Sequence, residues 1–410
     1  MTAQPPWPQG RWLQLPPEPP RPPRVGVVAE QLFGPVPGGV GRYVQALVRH
    51  LPAVAAAAEG GGAVRWITAR HSSAELAEAG LPAERPAGVE AEATDGLTVP
   101  LSLPGRVLTR TWVEARQPRL PLWLLRQLDL VHATSAAVPP ARGKPLVATV
   151  HDVAFRRFPD AYPASGRHFH ERAARIVADE AARVLVPSAA TARDLTEFYG
   201  VEAERITVTP LGAEPPPAPD PGKARGLLDR LGVRGPFLLA VGTLEPRKNL
   251  LRLVAAFAEA AAELPEHHLV VAGPAGWGAS LRPEAVPPRV ALAGPVDEAT
   301  LHGLYDAADL LAYPSTYEGF GLPVVEAMLH GTPVLTSDRS SLPEVAGDAA
   351  LLVDPTDEHA IAKGLVELTA DRALRDRLIA AGRARAARFT WEATAAATWA
   401  AYQEVLRAHG

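Results

Sequence analysis

Short apolar runs alternate along this chain with longer segments in which apolar side chains recur every three or four positions. The short runs predict strands at 24–29, 64–68, 130–133, 146–150, 184–187 and 206–209 in the first half, and at 237–241, 269–272, 290–293, 310–313, 334–336 and 351–353 in the second. Strands alternating with amphipathic helices specify a parallel sheet covered on both faces. Because the pattern runs twice, it predicts an α/β protein with two doubly wound domains, 24–211 and 224–388. Between them 212–223, GAEPPPAPDPGK, is too rich in proline and glycine for a regular element and reads as a linker. In 389–410, Trp391, Ala395, Trp399, Tyr402 and Leu406 share one stripe at helical spacing, which predicts a final amphipathic helix with Thr390 as its N-cap. Residues 1–23 are so proline-dense that an extended, disordered tail is expected.

Composition changes this picture little and excludes some chemistry. At 410 residues the chain exceeds one ordinary core, in keeping with two domains. A net charge of −4 gives no general attraction to nucleic acid. With no cysteine, disulfides and thiolate catalysis are excluded, and a reducing cytoplasm is compatible. No run reaches the roughly 18 apolar residues that span a bilayer, so any membrane contact is expected to be peripheral.

The most informative string is PSTYEGFGLPVVEAMLHGTPV, residues 314–334. Pro314 ends an apolar strand, and Pro323 suits the first turn of a helix, where its missing N–H is not needed. In the loop between, Gly319 and Gly321 let a ligand approach, and the amides of Phe320, Gly321 and Leu322 face an anion at the positive end of the helix. Glu318 and Glu326 bracket this phosphate-suited loop. Ionised carboxylates only accept hydrogen bonds and repel phosphate, so their expected partners are hydroxyls, such as those of a hexose and a ribose.

Other strand ends carry further candidates. After the first strand, Gly39 and Gly41 open a helix through which backbone amides can meet phosphate, and Arg42 either adds charge there or faces solvent. His151 and Asp152 stand at the carboxyl tip of a strand of buried type. Ser188 is placed to cap a helix that Gly200 ends. Gly242 follows a strand, and Arg247 and Lys248 then introduce the next helix, where its dipole disfavours cations unless an anion is present. That conflict points to a site: Arg247 can grip two diphosphate oxygens while Lys248 acts as a point charge. Leu292 to Val296 close another strand.

Taken together, these strings resemble the retaining family-4 glycosyltransferases, a group that includes many bacterial mannosyltransferases and sucrose-phosphate synthases. The resemblance covers roughly residues 24–405. It implies the GT-B architecture: two Rossmann-like domains facing a cleft, an N-terminal one for the acceptor, a C-terminal one for the nucleotide sugar, and a last helix crossing back to the first domain. It assigns hexose hydroxyls to Glu318, the ribose to Glu326 and the diphosphate to Arg247, Lys248 and the glycine loops. His151 lies near the reacting sugar, Asp152 faces the acceptor or orients His151, and the backbone at Val296 holds the base. The implied reaction is metal-independent retaining transfer by front-side attack, with no resident cofactor. GTLEPRKNL, HDVAFRRFPDAYP and GGVGRYV most resemble mannosyltransferases of O-antigen and other envelope glycans, implying GDP-mannose as donor and a glycan or polyprenyl-linked glycan as acceptor. A UDP-glucose or UDP-N-acetylglucosamine transferase, a sugar-nucleotide 2-epimerase and a catalytically silent donor-binding subunit are the alternatives. Finally, 106–126 combines five arginines with Trp112, Leu120, Leu122 and Trp123. Such a stretch is either an ordinary surface helix or a peripheral contact with anionic lipid at the inner face of the cell membrane.

Overall fold

The computed structural model describes residues 22–34, 38–82, 98–214, 220–276, 281 and 286–409. The expected tail, except for its last two residues, Pro37, and residues 215–219 of the expected linker lie outside the described residues.

Among the described residues two all-parallel sheets form. The first has seven strands: β1 Arg24–Val28, β2 Ala63–Ala69, β3 Thr98–Leu101, β4 Leu130–Ala133, β5 Leu146–Thr149, β6 Arg183–Val186 and β7 Ile206–Val208, in the order β3-β2-β1-β4-β5-β6-β7. The second has six: β8 Phe237–Val241, β9 His268–Ala272, β10 Val290–Gly294, β11 Leu310–Tyr313, β12 Val334–Ser337 and β13 Leu351–Val353, in the order β10-β9-β8-β11-β12-β13. All twelve predicted strands are present, and β3 is the one the pattern did not predict. It carries Pro100, which argues against a strand in the middle of a sheet but fits this edge position.

In each sheet the strand order reverses once, between β1 and β4 and between β8 and β11. At such a reversal the flanking helices leave on opposite faces and open a crevice at the carboxyl ends of the strands. The loops after β1, β5, β8 and β11, which carry most of the candidate residues, all leave from carboxyl ends.

The final helix, Trp391–His409, crosses back to the first domain. Thr390 Oγ1 accepts from Ala393 N at 3.1 Å, the expected cap. Trp391, Ala395, Trp399 and Tyr402 are buried as predicted, Leu406 is half-buried against the same core, and Val405 is buried beside them. Tyr402 OH meets Nδ1 of His132, on β4, at 2.6 Å. Trp399 lies so close under Gly62 that a Cβ there would sit 2.2 Å from the indole. Near the crossing, Ala213 N donates to Phe389 O at 3.0 Å, so the two passages between domains run side by side. The helix Pro221–Arg230 opens within the stretch read as linker, with Asp220 as its N-cap.

The stretch 106–126 divides. Trp112 and Leu120 are buried, and Arg116 is taken up by Glu180 and by Val138 O at 2.7 Å. Val107, Leu122 and Trp123 stay exposed, at 47%, 56% and 54%, among the exposed Arg106, Arg110, Arg119 and Arg126.

Candidate active site

The loop from β11 to the helix Leu322–His330 turns at Gly321, whose φ of 106° places it in the left-handed region that glycine enters without strain. Ser341 Oγ fixes the loop by donating to the carbonyls of Glu318 and Phe320, both at 2.9 Å. The amides of Phe320 and Gly321 have no acceptor among the described residues, so the anion-facing donors expected there are open.

Glu318 is the centre of a buried knot. Its Oε1 accepts from Lys248 Nζ at 2.7 Å and from Tyr313 OH at 2.9 Å, and its Oε2 accepts from Arg247 Nη1 at 2.6 Å. Glu245 adds a second carboxylate, 2.7 Å from Arg247 Nε. Burial alone pushes the Glu318 carboxyl up, but Arg247 and Lys248 outweigh it and hold the group down at about 2. Lys248 is lowered from its ordinary value, first by burial and also by Arg247, against the pull of Glu318. Burial opposes the charge on Arg247 too, and Glu318, Asp152 and Glu245 overcome it.

Arg247 and Lys248 precede the helix Leu250–Glu259 as expected, and they do so in a separate 3-10 turn, Pro246–Lys248, which Asn249, at φ 60°, divides from it. The anion that relieves the cations is Glu318, 70 and 71 residues away. Gly242, at φ 142°, lies against the Lys248 stem, where a Cβ would be 3.0 Å from Cε.

The first domain meets this knot closely. A Cβ on Gly319 would stand 1.9 Å from His151 O and 3.0 Å from Asp152 Cβ, so no side chain fits. Ser188 caps its helix as expected and also donates to Gly319 O at 2.7 Å, joining the domains. Tyr317 OH donates to Asp194 at 2.7 Å and accepts from Val153 N. His151 Nε2 lies 3.0 Å from Thr134 O. A carbonyl only accepts, so Nε2 carries the proton; burial holds the imidazole below its ordinary value, which leaves Nδ1 as an acceptor. Asp152 Oδ1 accepts from Ala154 N at 2.9 Å, so the bond that orients His151 comes from Thr134 instead.

Glu326 sits deeper along the cleft, 4% exposed. Tyr305 OH donates to its Oε2 at 3.0 Å, and Arg42, from the first domain, pairs with Oε1. Arg42 thus spans the cleft here instead of simply facing solvent. Gly39 borders Leu322, the first residue of the Glu326 helix, and Gly41 is buried within the helix Gly38–Ala57. Val296 is half-buried in the turn after the edge strand β10 and packs against the core that holds Tyr305, Tyr313 and Leu322.

Sequence reasoning missed Tyr313, Tyr305 and Tyr162, and for Arg42 it missed the partner. Tyr162 lies in the electrostatic neighbourhood of Asp152 and Arg247. It also missed the buried relay from Tyr402 through His132 and Thr149 to Tyr43, whose ring meets His151 edge-on at 4.9 Å. None of these carries a local signal. Each is defined by a partner remote in sequence.

Two doubly wound domains with a cationic, polyol-suited cleft between their carboxyl edges define the GT-B class of sugar-nucleotide enzymes. Two family models match, Glycosyltransferase Family 4 over residues 37–215 and Glycosyl transferases group 1 over 230–385. O-antigen chain mannosyltransferase B of Escherichia coli is 32% identical over 296 residues, covering 70% of this chain and 77% of that protein. A D-inositol 3-phosphate glycosyltransferase of Xylanimonas cellulosilytica is 37% identical over 290 residues, 64% of this chain and 67% of the relative. Among solved structures, sucrose-phosphate synthase from Thermosynechococcus elongatus superposes with a TM-score of 0.65 at 21% identity, covering 94% of this chain and all of its own, a likeness of fold. The chain belongs to glycosyltransferase family 4 and is a hexosyltransferase.

Proposed function

We propose that this enzyme transfers mannose from GDP-mannose, with retention of configuration, to a glycan or polyprenyl-linked glycan. The observation that carries the reading is the knot in which Arg247 and Lys248 meet Glu318, beside the open amides of Phe320 and Gly321. The mannose donor is supported by the similarity to an O-antigen mannosyltransferase.

In this reading the diphosphate takes Arg247, Lys248 and the loop amides, the hexose hydroxyls take Glu318, and the ribose takes Glu326. His151 accepts a sugar hydroxyl through Nδ1, and the base rests on the backbone near Val296. The bond from the anomeric carbon to the diphosphate oxygen breaks as the acceptor oxygen attacks from the same face. The acceptor's proton passes to the departing phosphate oxygen, and the nucleoside diphosphate leaves with the bonding pair. Cations held beside that oxygen stabilise its growing charge more in the transition state than in the bound donor. The donor is a co-substrate, and no step uses a resident cofactor or metal.

Among the described residues no helix is long and apolar enough to cross a membrane. Val107, Leu122 and Trp123, exposed in the same stretch of chain as four exposed arginines, suit an anionic lipid surface, which would bring the enzyme to lipid-linked acceptors on the cytoplasmic face. Co-sedimentation with phosphatidylglycerol vesicles should fall when Arg106, Arg110, Arg119 and Arg126 are changed to Glu; unchanged binding would remove this contact.

The test of function is nucleotide release from a panel of sugar nucleotides, with and without polyprenyl-diphosphate-linked glycan. Release of GDP from GDP-mannose, dependent on acceptor, is expected. Acceptor-dependent release of UDP would reassign the donor, conversion without acceptor would indicate an epimerase, and tight binding without turnover a silent subunit.

A further inference from the structure

Glu326 is buried, and within its own domain its carboxylate is met by the Tyr305 hydroxyl but by no cation among the described residues. The compensating charge crosses the cleft: Arg42 pairs with Oε1 through Nη1 and reaches Glu298 through Nη2 at 3.7 Å. A buried carboxylate left unpaired is costly, and this guanidinium pairs it from across the cleft. Oε1 also offers an acceptor to a ribose hydroxyl, while Oε2 already takes one bond from Tyr305. Ribose hydroxyls are neutral donors, so the arriving ligand competes with the guanidinium for hydrogen-bond sites while adding no positive charge.

Arg42 lies three residues beyond Gly39, and Gly39 borders Leu322, where the Glu326 helix begins. The loop amides just before that helix start, those of Phe320 and Gly321, have no acceptor among the described residues. Resting on the donor reading above, we propose that Arg42 is a positioning residue for the donor: it holds Glu326 ready across the cleft, yields Oε1 to the ribose, and turns to the diphosphate. One side chain thereby makes closure of the first domain depend on both halves of the nucleotide.

A plain interdomain ion pair would behave differently. Removing it would change binding of every nucleotide ligand by one common factor, through the ease of closure alone. The two roles separate in the ratio of affinities for a nucleoside and its diphosphate, measured by calorimetric titration of guanosine and GDP, and of uridine and UDP, on the wild-type chain, Arg42→Ala and Arg42→Lys. With Arg42→Ala, nucleoside binding should be unchanged or tighter and diphosphate binding weaker, shrinking the ratio about tenfold or more, the size of one charge-assisted contact; Arg42→Lys should recover part of it. A thermal melt without ligand monitors folding of each variant. An equal change in both ligands overturns this role for Arg42 while leaving the donor reading intact. Wild-type protein that binds neither diphosphate overturns the donor reading and Arg42's role with it.

Discussion

Glu318 is a carboxylate buried with two cations and a tyrosine hydroxyl, and its ionisation is tied to the fold. In the folded chain it stays charged down to about 2, whereas its ordinary value is 4.5, so between those values the unfolded chain binds more protons. The stability it contributes is complete above the upper value and is lost as pH falls through the window. The thermal midpoint of the wild-type protein should therefore fall more steeply below pH 4.5 than that of Glu318→Gln; parallel curves would show that the group is not held in this way. Lys248 and Arg247 were legible as a site because cations beside a helix start contradict the helix dipole. Their anion was legible separately, as a carboxylate before a glycine loop. That the two are one knot was not, since nothing local links residues 70 apart. Arg42 was harder still. A lone arginine on a first helical turn is usually solvated, and its meaning lies in a partner 284 residues away.

At the scale of elements, twelve strands could be read because each is an apolar run between turn-forming residues, and β3 escaped because Pro100 breaks the rule that holds inside a sheet. The 3-10 turn that carries Arg247 and Lys248 is likewise invisible to periodicity, being shorter than one helical repeat. The loop after β11 makes the sharpest demand on sequence. Gly319 lets the second domain press its backbone against His151, and Ser188 fastens the same residue's carbonyl from the other side. Gly319→Ala should leave each domain folded, because the clash lies between domains. It should also hold the cleft apart at a cost of about 1–3 kcal/mol, a loss of roughly tenfold or more in turnover. Steady-state kinetics beside a thermal melt checks this, and full activity in the variant would mean that the contact is not needed for catalysis.

At the scale of the molecule, two sheets of similar strand order turn their carboxyl edges toward each other, and the last helix returns to the first domain through Tyr402 and His132. The duplicated pattern made this architecture legible. The seam did not show in the sequence, because the partners of Ser188, Tyr317 and Arg42 across it lie 131, 123 and 284 residues away. In the proposed reaction the donor's diphosphate and the acceptor meet at this seam, on the same side of the anomeric carbon. The decisive measurement is the configuration of the product: enzyme, GDP-mannose and a polyprenyl-diphosphate-linked glycan, followed by proton NMR of the new anomeric signal from its first appearance. An α-mannoside, the configuration of the donor, is expected to form as GDP is released. A β-mannoside would contradict front-side transfer and the roles of Arg247, Lys248 and Glu318 in it.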